Sequence, residues 1–361
     1  MTAGPHSRSA LPAWRKSLAE AVRDPAELLR LLALDPALLP AARRAAERFP
    51  LRVPRGFVAR MRPGDPDDPL LRQILPLAEE LEPRPGFGAD PVGDLAALAP
   101  GGLVRKYHGR SLLVTTGACA VHCRYCFRRD FPYAQAAAPG AGWSTALEAL
   151  EADPSVQELI LSGGDPLTLP DRRLAALARA AGRVAHLRRL RVHSRTPVVL
   201  PERVDDSLLY WLAASPLPVV MVIHANHAQE LDAAVASAMG RLAGTGVTLL
   251  NQAVLLRGVN DTWQAQVELS ERLFELGVLP YYLHLLDPVA GAGHFDVPEA
   301  EARRLLAEAG ARLPGYLLPR LAREVPGETQ KRTLAPWAGA QHIQSTSTVG
   351  ARGSGLAYGD E

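Results

Sequence analysis

The stretch from Glu158 to His193, ELILSGGDPLTLPDRRLAALARAAGRVAHLRRLRVH, decides the fold. Glu158–Leu161 is an apolar run of strand length that stops at a pair of glycines. Asp171–Val184 then carries leucine and alanine at helical spacing, and Leu190–His193 is a second short apolar run. Two strands joined through a helix lie parallel, because a tight turn cannot reverse the chain twice. The alternation continues on both sides. Apolar runs recur at Ser111–Thr115, Val219–His224, Val247–Leu255 and Pro280–Leu285. Helical patterns lie between them at Ser144–Ala152, Ala228–Leu242 and Thr262–Leu276. Six such units predict an α/β fold whose parallel sheet curls into a barrel or a partial (β/α)6 barrel. Chemistry on such sheets gathers at the C-terminal strand ends. Polar clusters fall there, at 117–126, 162–165, 193–195, 224–227 and Asp287. Each alone reads as an ordinary turn; together they read as a site.

Outside that core the pattern changes. Residues 12–82 read as helical, with Asp24-Pro25-Ala26-Glu27 as a helix start. Proline- and glycine-rich turns punctuate the rest. The expected organisation is an N-terminal helical region (1–100), a barrel core (101–300), a C-terminal segment (301–336) and a disordered tail (337–361). The 361 residues are 47% hydrophobic, enough for a large core. Lys and Arg number 40 against 38 Asp and Glu, a balance that gives no electrostatic reason for a nucleic-acid partner. Met1–Leu18 has no secretory apolar core, and no run is long enough to span a membrane. A soluble cytoplasmic protein is expected.

All three cysteines fall within Cys119-Ala-Val-His-Cys123-Arg-Tyr-Cys126. An odd, clustered set is no disulfide framework and points to a metal site. Thiolates suit iron–sulfur clusters, zinc and copper(I). A cluster with four irons would leave one iron without a cysteine, open to a substrate or cofactor. A zinc site completed by His122 or a distant histidine is the alternative, although structural zinc motifs usually come as paired C-x2-C units.

The C-x3-C-x2-C spacing resembles the signature of the radical S-adenosylmethionine (SAM) superfamily. Tyr125 matches the aromatic residue that superfamily carries before its last cysteine. Ser162-Gly163-Gly164-Asp165 matches its Gly-Gly-Glu-like motif for the SAM amino group, with Asp as the acid. The wider chain, residues 12–336, resembles the lysine 2,3-aminomutases, and most closely the branch that makes (R)-β-lysine for elongation factor P. The stretches that carry this are Leu51-Arg-Val-Pro-Arg55, Gly64-Asp-Pro-Asp-Asp-Pro-Leu-Leu-Arg72, Arg105-Lys-Tyr-His-Gly-Arg110, His193-Ser-Arg-Thr-Pro197, Leu250-Asn-Gln-Ala-Val-Leu-Leu256, Tyr281-Tyr-Leu-His284, Gly315-Tyr-Leu-Leu-Pro319 and Leu321-Ala-Arg-Glu-Val-Pro-Gly-Glu-Thr-Gln-Lys331.

The resemblance implies a [4Fe–4S] cluster on Cys119, Cys123 and Cys126, with SAM on its open iron. It implies pyridoxal 5′-phosphate (PLP) held as a Schiff base by Lys331, one of three lysines in the chain. An amine can form an imine where a guanidinium cannot. Lys106, Tyr107 and Arg110 match the PLP phosphate ligands, although the family often has Arg where Lys106 stands. Ser162, Gly163, Gly164, Asp165, His224 and Gln252 match residues near SAM. Arg128 matches the residue that grips the substrate carboxylate. Asp287 and Glu324 match the pair that binds the distal ammonium. The implied activity is an isomerase that moves the α-amino group of L-lysine to the β-carbon. A cluster reductase and the enzyme that transfers lysyl groups to elongation factor P would be its functional partners, and a homo-oligomer remains open. The alternatives are a metabolic amino-acid 2,3-aminomutase, an iron–sulfur electron carrier, or another radical SAM enzyme.

Overall fold

A computed structural model describes residues 12–136 and 143–336. The expected tail and the first eleven positions lie outside these described residues. One sheet of ten strands runs in sequence order: β1 (Leu98–Ala99), β2 (Leu103–Val104), β3 (Arg110–Thr116), β4 (Glu158–Gly163), β5 (Arg189–Ser194), β6 (Val219–Ile223), β7 (Thr248–Val254), β8 (Leu279–His284), β9 (Arg320–Arg323) and β10 (Arg332–Thr333). The six anticipated strands are β3–β8, each within two residues of its expected ends. They pair in parallel, as a partial barrel requires. β9 continues the parallel set beside β8, and β10 folds back on β9 antiparallel. The C-terminal segment therefore extends the barrel sheet. Its short strands escaped the sequence reading because four polar-rich residues carry little periodic signal.

Alternation along the strands sorts side chains to two faces. In β5, Leu190 and Val192 are buried outward against helices, while Arg191 and His193 face inward. Leu174, Leu177, Ala178 and Ala181 present one buried stripe of the helix Asp171–Ala181 to that outer face. The inner faces are polar and enclose a cavity.

A second apolar cluster sits in the N-terminal helices. Trp14, Leu28, Phe57, Leu70 and Ile74 are buried there, and Ala120 and Val121 of the cysteine loop pack into the same cluster. The helix Pro25–Leu31 starts where anticipated, with Asp24 accepting from Ala26 N at 2.9 Å. Glu27, three residues on, pairs with Arg55 across the fold and does not close a capping box. Among the described residues no helix is long and apolar enough to cross a membrane.

Candidate active site

The inner faces of the strands and the loops at their C-terminal ends line one cavity of about 470 Å³, a size usual for cofactor and substrate sites. Every residue singled out from the sequence borders it, from Cys119, Cys123 and Cys126 to Lys331.

The cysteine loop follows β3 and is pinned from outside. Its backbone donates from His122 N to Arg52 O at 2.9 Å and from Arg124 N to Gln73 O at 2.9 Å. Arg124 is wholly buried and donates to both carboxylate oxygens of Glu80, at 2.7 and 2.5 Å. Arg129 donates to the same carboxylate at 2.8 Å. Both guanidiniums lie over the Phe49 ring. His122 is engaged elsewhere: its ring stacks on Phe49, and Nδ1 is 2.8 Å from Pro50 O. Among the described residues no group of three or more His, Cys, Asp or Glu is posed around a single ion.

The end of β4 packs directly on the loop entry. Gly164 N donates to Thr116 O at 2.6 Å and Asp165 N to Ala118 O at 2.8 Å. A Cβ on Gly163 would lie 2.6 Å from Thr116 O, and one on Gly164 would lie 2.4 Å from Ala118 O. Gly163 also has φ +118°, which disfavours any side chain. The glycines thus answer first to chain packing. Asp165 is spent inside the protein. Its carboxylate accepts from Leu167 N, Ser194 Oγ, Arg195 N and Thr196 N at 2.8–3.0 Å, tying the end of β4 to the end of β5.

Arg128 is buried, with Nε donating to Asp94 at 2.6 Å and Nη1 to Ser162 Oγ at 3.2 Å. Asp94 also pairs with Lys106. Lys106 Nζ donates to Val92 O and to Glu324 Oε1, both at 2.8 Å. Glu324 Oε2 accepts from Lys331 Nζ at 2.9 Å, with Tyr282 under the same amine. Burial alone would raise Glu324, but Lys331 and Lys106 outweigh it and hold the carboxyl at about 2. Asp287, just past β8, makes no side-chain hydrogen bond among the described residues; burial and the neighbouring Glu324 push it up to about 7. Arg110 lies over the Tyr107 ring, and the Tyr107 hydroxyl faces Glu324 without a well-formed hydrogen bond among the described residues.

His224 and Gln252 face each other with nitrogens 2.7 Å apart. Burial, with Arg195 and Lys331 nearby, drives His224 down to about 3, so the ring is neutral. His193, His284 and Arg195 join this wall. The sequence reading gave Asp94 and these three no role. His193 and Arg195 stood in a polar cluster read as part of the site from its place at a strand end, and His284 stood inside a quoted stretch, but none was given a task. Asp94 lies in a loop before the barrel with no motif around it.

No family model matches the chain. Curated relatives named L-lysine 2,3-aminomutase do. The Escherichia coli K12 protein is 49% identical over 322 residues, covering 89% of this chain and 94% of its own length. The Haemophilus influenzae protein is 43% identical, covering 89% and 95%. The Clostridium subterminale protein is 30% identical, covering 90% and 78%.

Proposed function

The chain belongs to the L-lysine 2,3-aminomutase family, a radical SAM isomerase family, and from that premise we propose that it converts L-lysine to β-lysine with a [4Fe–4S] cluster, SAM and PLP, in the cytoplasm. What supports this reading is a single cavity with three thiols on one wall and a carboxylate-paired lysine on another.

The residues present fit those groups. Three thiols on one loop, in a chain with no fourth cysteine, suit a cluster with one open iron. Ser162, His224 and Gln252 would line SAM beside the glycine turn, with Asp165 holding that turn in shape. Around Lys331, the Tyr107 hydroxyl and the Arg110 guanidinium are donors suited to a phosphate, with Lys106 as a further cation. When bound, cluster and SAM supply a carbon-centred radical, and PLP supplies the conjugated carbonyl that carries the migrating nitrogen.

The protein's own work is binding and alignment. Arg128 gives Nε to Asp94 and one Nη1 hydrogen to Ser162 and offers Nη2 to the α-carboxylate. Asp287 offers an unbonded carboxylate to the far ammonium. Glu324 Oε2 already binds an amine at 2.9 Å, that of Lys331. A substrate ammonium there would compete with Lys331 for that oxygen. A neutral residue or glutamate would leave Asp287 without a cationic partner, which is costly in a buried site. The neutral His224 can hydrogen-bond without adding positive charge.

The test is anaerobic reconstitution, then assay with SAM, dithionite, PLP and L-lysine. β-Lysine is the expected product. No β-lysine, or faster turnover of ornithine or glutamate, rejects the reading. The destination in elongation factor P rests on the family resemblance. It is tested by weighing intact factor from a gene-deletion strain with no second aminomutase; a retained β-lysyl mass rejects it.

A further inference from the structure

Arg195 directly follows β5 within the His193-Ser-Arg-Thr-Pro197 stretch, and the proposed reaction leaves it without a task. The residue is 5% exposed, and its side chain bridges a thiol and a carboxylate. Nη1 donates to Cys123 Sγ at 2.7 Å. Nη2 donates to Glu230 Oε2 at 3.0 Å and to Gln73 Oε1 at 2.7 Å. The guanidinium is held by its burial and by these bonds, with Nη1 also meeting the Tyr125 hydroxyl, while the Arg195 amide is tied to Asp165 at 2.9 Å. Glu230 is fully buried and equally fixed, accepting from the amides of Asn226 and His227 at 2.8 and 3.1 Å.

A fixed cation in contact with a cluster sulfur favours whichever oxidation state carries more negative charge. Taking up one electron makes the cluster more negative by one unit. Hydrogen bonds to sulfur and local charge are the levers by which proteins set such potentials. Burial strengthens the effect, since little water screens it. Glu230 on the far edge of the guanidinium opposes the same field. We infer that Arg195, balanced by Glu230, is a positioning residue that raises the reduction potential of the cluster held by Cys119, Cys123 and Cys126. The electron itself comes from an external one-electron donor. This inference rests on the proposed function, which supplies the cluster.

The experiment is a mediated potentiometric titration with dithionite, read by electron paramagnetic resonance of the reduced cluster. It uses full-length, anaerobically reconstituted protein without SAM or lysine, as unsubstituted chain, Arg195→Gln, Arg195→Lys and Glu230→Gln. Arg195→Gln should move the midpoint to more negative values and Glu230→Gln to more positive ones. Arg195→Lys should stay near the unsubstituted protein. A tenfold change in the reduced-to-oxidised ratio at fixed potential corresponds to about 59 mV for one electron. Loaded clusters whose midpoints do not move, or move the same way in both charge-removing variants, overturn the inference. Should Arg195→Gln fail to load, Glu230→Gln alone decides: a midpoint that does not rise overturns it. If the unsubstituted protein binds no iron–sulfur cluster, the cofactor reading fails and this inference falls with it. A normal cluster with unmoved midpoints overturns the Arg195 assignment alone.

Discussion

The thiol wall and the amine wall of the cavity are held by opposite strategies. The cysteine loop is fixed by partners behind it. Glu80, Phe49 and the N-terminal apolar cluster grip Arg124, Arg129, Ala120 and Val121, and the loop backbone bonds to Arg52 and Gln73. None of those contacts has to break for a cluster to bind. The amine wall is held by the functional groups themselves. Lys106, Lys331, Glu324, Asp94 and Arg128 pair with one another across the cavity. A ligand there must exchange partners with them. A scaffolded wall should tolerate loss of its ligand and suffer from loss of its support. A self-paired wall should change binding with each charge removed while the fold survives.

The largest expected effect separates the walls chemically. Lys331→Ala should abolish turnover, because the amine that forms the imine is gone. Borohydride reduction with PLP should then leave no pyridoxyl peptide, while iron and sulfide content stay unchanged. A label on Lys16 or Lys106 in the unsubstituted protein sinks the assignment.

Next comes support of the thiol wall. Glu80→Gln leaves Arg124 and Arg129 buried beside a neutral group, a loss of about 3–5 kcal/mol. Denaturant unfolding should show that drop. Below the transition, cluster loading should fall while Lys331 still takes the pyridoxyl label. Equal loss of both would mean that the walls are not independently held.

Asp287→Asn should act on the amine wall alone. Lysine binding, measured calorimetrically on PLP-loaded protein, should weaken by about 1.5–3 kcal/mol, the worth of a hydrogen bond to a charged group. Unchanged affinity would remove Asp287 from substrate recognition.

The smallest effect is graded by pH. With Asp287 at about 7 in the empty site, its carboxyl is increasingly protonated as pH falls below 7. An ammonium binds the ionised form, so lysine affinity should fall by up to about tenfold per unit below pH 7. Lysine binding near pH 7 should release protons to the buffer. Asp287→Asn should remove this component of the pH dependence; an identical profile in that variant refutes it.

The sequence carried the barrel because repeating β and α periods are local properties. The six runs from Ser111 to Leu285 needed no knowledge of one another. It carried the cysteine loop for the same reason, since three thiols in eight residues are close in any fold. The family resemblance supplied Lys331, Arg128, Asp287 and Glu324 as candidates from distant positions. Tertiary structure alone decided how those charges spend themselves. Glu324 and Lys106 are 218 positions apart yet share a hydrogen bond. Asp94 joins Lys106 and Arg128 with no local signal to announce it. Asp165, expected to face a cofactor, borders the cavity with its carboxylate bonded to three backbone amides and Ser194, because β4 and β5 end side by side. Arg195 meets Cys123 only because strand order brings β5 under the cysteine loop. Periodicity and short spacings are written along the chain; a buried charge chooses its partner only after the sheet has curved and water has been excluded.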